Sequence, residues 1–146
     1  MKARALVLVG AILLVAADDA AKKDQDKLQG RWEAIAIEYN GKDLKADGVK
    51  LTFNFKGNKA TIEGTEEITK DFSGFTFKLD PSTNPKCIDM TVTGGDQKDS
   101  VIEGIYEFKG EEFRLCAKIT AKERPAKFAS PEGEFIGLVT LKRIKD

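Results

Sequence analysis

Val49-Lys50-Leu51-Thr52-Phe53-Asn54-Phe55 places four apolar side chains at every second position, with polar residues between them. A period of two puts all four on one face of an extended strand, and that face has to be buried. Downstream, Gly57-Asn58 turns the chain into Lys59–Glu63, and then Phe75, Phe77 and Leu79 alternate with Thr76 and Lys78. Asp80-Pro81 ends that strand, because proline cannot donate to a ladder. Lys86–Thr93 closes at Gly94-Gly95-Asp96, and Ser100–Phe108 closes at Lys109-Gly110. Glu112–Ile119 sets Phe113, Leu115 and Ala117 against Arg114, Cys116 and Lys118. Phe135–Ile144 is the last strand, and upstream Gly30–Tyr39 is the first, ended by Asn40-Gly41. Helical periodicity is scarce. Asp24–Leu28 makes at most one turn, and Thr65–Phe72 reads as a short helix or an irregular edge.

Eight sequential strands with short connections and no crossover helix predict an all-β fold, an eight-stranded antiparallel up-and-down barrel. Such a barrel encloses room for side chains or for one small ligand. A two-sheet sandwich is the alternative.

Composition narrows the chemistry. The 146 residues include no histidine, so Ser-His-Asp and Cys-His catalysis and His-ligated zinc are excluded. Two cysteines cannot build a four-thiolate metal site or an iron–sulfur cluster. Lys+Arg and Asp+Glu balance at 24 each, without the basic excess that nucleic-acid binding requires. No metal or cofactor is expected.

The beginning of the chain reads as an address. Lys2 and Arg4 precede an apolar run from Ala5 to Ala16, and small residues lead to Ala17 and then Asp18-Asp19. This is the pattern of a secretory signal peptide, cut after Ala17. Twelve helical residues span about 18 Å, short of a hydrocarbon core of about 30 Å. The organisation expected is a signal helix over 1–17, a charged and solvated leader over 18–27, and a barrel domain over 28–146. The protein would then be exported, periplasmic or secreted, meeting the membrane only during export.

Gly30-Arg31-Trp32 opens the first strand, and Arg143 lies near the end of the last. This resembles the Gly-x-Trp start of lipocalins and their calycin relatives. The resemblance implies that the first and last strands are neighbours. It also implies that Arg143 lies across the Trp32 ring and closes one end of the barrel, a cation–π contact worth roughly 0.5–2 kcal/mol. A closer match covers almost all of the chain after the signal segment. It runs through Asp24-Gln25-Asp26-Lys27-Leu28-Gln29-Gly30-x-Trp32, Leu79-Asp80-Pro81, Pro85-Lys86-x-Ile88-Asp89 and Gly104-Ile105-Tyr106, then Leu115-Cys116, Glu123-Arg124-Pro125-x-x-Phe128 and Arg143. Together these are similar to a family of small uncharacterised bacterial domains, greatly expanded in planctomycetes. That resemblance implies an exported single domain with a lipocalin-like fold and supplies no activity.

Among the polar residues, Asp89 stands in a strand, with Tyr106, Arg114 and Arg124 as possible partners. It reads either as part of a cluster lining a cavity and orienting a ligand, or as a carboxylate fixed in a structural network. Arg124 and Phe128 belong to a long loop, 120–133. They read as a lid with an anion-binding Arg, or as a barrel plug and a surface ion pair. Cys87 and Cys116 stand two strands apart, roughly 9–10 Å, beyond the disulfide limit of about 7 Å, so two free thiols are expected.

The expected function is that of an extracytoplasmic binding protein for a small apolar ligand or peptide. Phe53, Phe55, Phe75, Phe77, Phe113 and Leu115 are candidate wall residues that would equally make a dry core. A protein-interaction or inhibitor module using the 120–133 loop is the alternative. An enzyme is the third reading, disfavoured because no nucleophile or acid–base motif is present.

Overall fold

The computed structural model describes residues 18–119 and 122–145, so the expected signal peptide lies outside the described residues. The strands run β1 (Gly30–Tyr39), β2 (Lys42–Asp43), β3 (Leu51–Lys56), β4 (Lys59–Gly64), β5 (Gly74–Asp80), β6 (Lys86–Gly94), β7 (Val101–Lys109), β8 (Glu112–Lys118) and β9 (Ile136–Arg143). All pairings are antiparallel and β9 returns to β1, so β1 and β3–β9 close an eight-stranded barrel. The β1–β9 ladder rules out the sandwich. Each of the eight expected strands is present with its ends displaced by two residues or fewer. The additional strand, β2, pairs Tyr39 with Lys42 across Asn40-Gly41. Both turn residues have positive φ, 51° and 78°. That is the two-residue hairpin turn Asn-Gly favours, so the chain doubles back instead of merely ending.

Alternation along each strand sends one set of side chains inward. Phe53, Phe55, Phe75, Phe77 and Phe113 are all buried with Trp32, Tyr106 and Leu141 in one continuous core. Phe113 is its hub, with ring centroids 6.1 Å from Trp32, 6.2 Å from Phe55, 5.8 Å from Tyr106 and 5.1 Å from Phe108. The candidate wall residues therefore form a packed interior.

The leader corrects the sequence reading. Residues 18–28 are helical (α1) and lie across the barrel end where β1 begins and β9 finishes. Leu28 is fully buried and anchors the helix in the core. The last carbonyls of a helix lack intrahelical partners. Here Trp32 Nε1 donates to the Leu28 carbonyl at 2.8 Å, and the Arg143 guanidinium donates to the carbonyls of Lys27 and Gln29. Arg143 Cζ also stands 4.4 Å from the Trp32 ring centroid. Gly30 makes room for this: its φ is 111°, and a Cβ there would sit 2.9 Å from Arg143 Nη1. Farther up α1, Asp24 accepts from Tyr106 Oη at 2.8 Å and from Lys86 Nζ at 3.0 Å. Charge alone made this segment look solvated. One buried leucine and three accepted carbonyls dock it.

The opposite end of the barrel is splayed. β1 pairs with β9 as far as Tyr39 but with β3 only through Glu33. A register shift lies just past the parting point, between Ala34 and Ala36. A bulge there bends the strand away from its neighbour. β4 and β5 also pair over three residues only. The gap is bordered by the turn after β2 and by α2 (Glu66–Thr69), whose flanking residue Phe72 packs on the core with Ile68 and Leu44.

Candidate functional site

The five residues singled out as ligand contacts do not form one site: Asp89 meets Arg124, Arg114 meets Phe128, and Tyr106 stands apart from both pairs. Asp89 pairs in register with Lys78 and Glu103 and faces outward, its side chain 56% exposed. Arg124 Nη2 donates to Asp89 Oδ1 at 2.6 Å, and its Nη1 donates to the carbonyls of Ile88 and Gly104 at 3.1 and 2.7 Å. The pair ties the long loop to the outside of β6 and β7, as a structural network would. Of the two readings of Asp89, this arrangement is that of a network fixing the strand and the loop.

Arg114 also faces outward. It binds Glu107 at 2.8 Å and stands 5.2 Å from the Phe128 ring centroid. Phe128 packs on Ile105, Cys116, Ile136 and Leu138, a second apolar cluster on the outer wall of β7–β9. It neither plugs the mouth nor forms a lid, because the wall beneath it is itself apolar and needs cover. Tyr106 faces inward at the α1 end, and burial first, then the Asp24 carboxylate, pushes its hydroxyl well above the usual phenol range. It is a neutral donor to Asp24. Tyr106 and Phe128 share only a surface groove of about 550 Å³ beside α1, bordered by Asp24, Lys27 and Lys86.

Cys87 and Cys116 each pair in register with Ile105, one from either side, and both are free. Cys116 is fully buried under the loop, its Sγ 3.6 Å from each of the carbonyl oxygens of Lys127 and Ala129, which share its one proton. Burial pushes that thiol upward in pKa, so it is less reactive at neutral pH. Iodoacetamide at pH 7.5 is expected to add one carbamidomethyl group to the native protein, at Cys87, and two after denaturation. Intact-mass measurement reads the count, and two adducts on the native protein would contradict the buried placement of Cys116.

A different set of residues surrounds a cavity of about 830 Å³ at the splayed end. Ile37, Leu51 and Val139 belong to the barrel strands lining it, and Val101 and Ile119 are at its lip. Leu44 reaches it from the turn after β2, whose backbone is fixed by Leu44 N to Ile37 O at 2.9 Å and Val49 N to Leu44 O at 3.0 Å. Ile68 reaches it from α2 and Phe72 from the turn that follows, four residues on and tied back by Phe72 N to Ile68 O at 3.0 Å. That segment is tied to the β6–β7 connection by Asp96 N to Lys70 O at 2.8 Å and Gln97 N to Asp71 O at 3.1 Å. Glu67, Asp71, Asp99 and Lys122 supply charge around the opening. None of the six candidate wall residues lines this cavity. The Ile68/Phe72 spacing was the available signal, lost because Thr65–Phe72 is too short to show a full helical period.

The arrangement can hold an apolar body and place a polar group at the opening. Among the described residues, no group of three or more Cys, Asp or Glu is placed to hold a metal ion, and no helix is long and apolar enough to cross a membrane. Compared with protein families, with curated proteins and with solved structures, the chain matches none of them.

Proposed function

We propose that the protein is an extracytoplasmic, lipocalin-like binding protein that holds a small, largely apolar ligand at the open end of its barrel. The observation that carries this reading is the asymmetry of the barrel. One end is filled by stacked aromatic side chains and covered by α1, and the other holds a cavity of about 830 Å³. Small-molecule sites are concave, mostly apolar and typically about 300–1,000 Å³. The lipocalin likeness draws support from the meander of eight strands and from Arg143 lying over Trp32 where the first and last strands meet. Export rests on Lys2, Arg4 and the apolar run behind them. The family resemblance stands beside these as part of the proposal.

The interaction-module reading of the 120–133 loop is the second proposal. Within that loop, Arg124 and Phe128 are engaged with the protein's own outer wall.

Nile red, a neutral apolar dye, tests the reading. Saturable binding with enhanced emission is expected for the native protein. Val139→Trp, which fills the cavity, should weaken it at least tenfold while circular dichroism stays unchanged. Asp89→Asn should leave binding as it is and cost at most about 1 kcal/mol of stability, the scale of an exposed ion pair. Dye binding untouched by Val139→Trp, or lost in Asp89→Asn, would move the site elsewhere.

A further inference from the structure

We propose that the ligand of this cavity is an amphipathic cation, an apolar chain or ring system ending in an amine or ammonium group held at the mouth. The inference rests on the reading of the cavity as a ligand site and adds the ligand's charge and orientation. Three carboxylates, Glu67, Asp71 and Asp99, line one side of the opening. None of them takes part in an ion pair among the described residues, whereas Asp24, Glu107, Glu123, Asp89, Glu103 and Glu111 all do. Lys70 and Lys98 belong to the same two connections but do not line the cavity, and among the described residues Lys122 is the one lining cation. Glu38 also borders the cavity, yet its register partner Leu138 packs in the outer cluster, so its side chain belongs to the outer wall.

Orientation follows from where polarity stops. Ile37, Leu51 and Val139 give no partner to a charged group, and burying an unpaired ion is costly. The apolar part therefore goes inward and the cation stays at the carboxylates. The lip adds to this. Among the described residues, the large apolar side chains left exposed are Ile35, Val101, Ile119 and Phe135. Val101 and Ile119 line the opening, and Phe135 stands 6.3 Å from Tyr39, which lines it too. An occupant with a long apolar body would cover this lip. An anionic amphiphile such as a fatty acid would bring its carboxylate against three others, a juxtaposition that disfavours the wrong partner.

Isothermal titration of the purified protein with decylamine, decanol and decanoate at pH 7.4 separates the possibilities. Decylamine is expected to bind at least tenfold tighter than decanoate at low ionic strength. The margin should shrink as salt rises, because exposed charges are screened. The triple variant Glu67→Gln/Asp71→Asn/Asp99→Asn should bind decylamine no better than decanol, with decanol affinity unchanged. Decanoate binding as tightly as decylamine, or a triple variant that keeps the amine preference, would overturn the charge inference and leave the cavity reading standing. Failure of all three probes to bind, or amine binding that survives Val139→Trp, would overturn both.

Discussion

Phe113→Ala is expected to lower stability by about 3–5 kcal/mol, the range for truncating a large buried aromatic. The position is severe for a geometric reason. Phe113 is fully buried, and four other rings lie within 6.2 Å of its centroid, contributed by β1, β3 and β7. A void there is walled by ladders on every side, so the barrel cannot collapse to fill it. Against a typical domain stability of about 5–15 kcal/mol, the loss takes a large fraction of the total. Chemical denaturation should show a lower midpoint with the slope retained. Phe135→Ala serves as the control: that ring is 43% exposed, and its removal should cost about 0.5 kcal/mol or less. Equal losses at the two positions would mean that the aromatic interior is not the main source of stability.

Arg143→Ala should cost about 2–4 kcal/mol, from a cation–π contact and two charge-assisted hydrogen bonds that do not simply add. Its signature differs from that of Phe113→Ala. Arg143 joins α1 to the barrel, so its loss should speed amide exchange in residues 22–28 well beyond the rest of the protein. Phe113→Ala should instead raise exchange throughout. Arg143→Lys keeps the charge but cannot reach two carbonyls with a planar fork. It should recover less than half of the loss. If residues 22–28 stay as protected in Arg143→Ala as in the native protein, then Leu28, Asp24 and the Trp32 hydrogen bond hold the helix without Arg143.

The strands were legible because alternation is a local property. Phe53, Phe55, Phe75 and Phe77 announce their face within a few residues, and their turns carry Gly, Asn, Asp or Pro. Closure of the ring was legible less directly, through strand number and the Trp32/Arg143 pair. The bulge in β1 was hidden because Ala34, Ile35, Ala36 and Ile37 are all apolar and show no phase. Helix α1 was hidden because its docking depends on Arg143 and Tyr106, residues far along the chain. The candidate site suffered most. Asp89 and Arg124 drew notice for their chemistry, but strand parity alone does not say which face is inside. The residues that do line the cavity come from the strand ends, a turn, the α2 segment and two connections, and the parting of β1 from β3 opens the space between them.

The ladder between β1 and β9 has a consequence for how the chain is made. The seam joins segments more than a hundred residues apart, as the Arg143–Gln29 contact shows with a separation of 114. Until residues 136–143 leave the ribosome, β1 and β8 are both raw edges, open to pairing with any other strand. The helix at the start of the fold also waits for its clasp until the last strand arrives. Closure thereby waits for β9, leaving a long interval in which the chain is a thread rather than a ring.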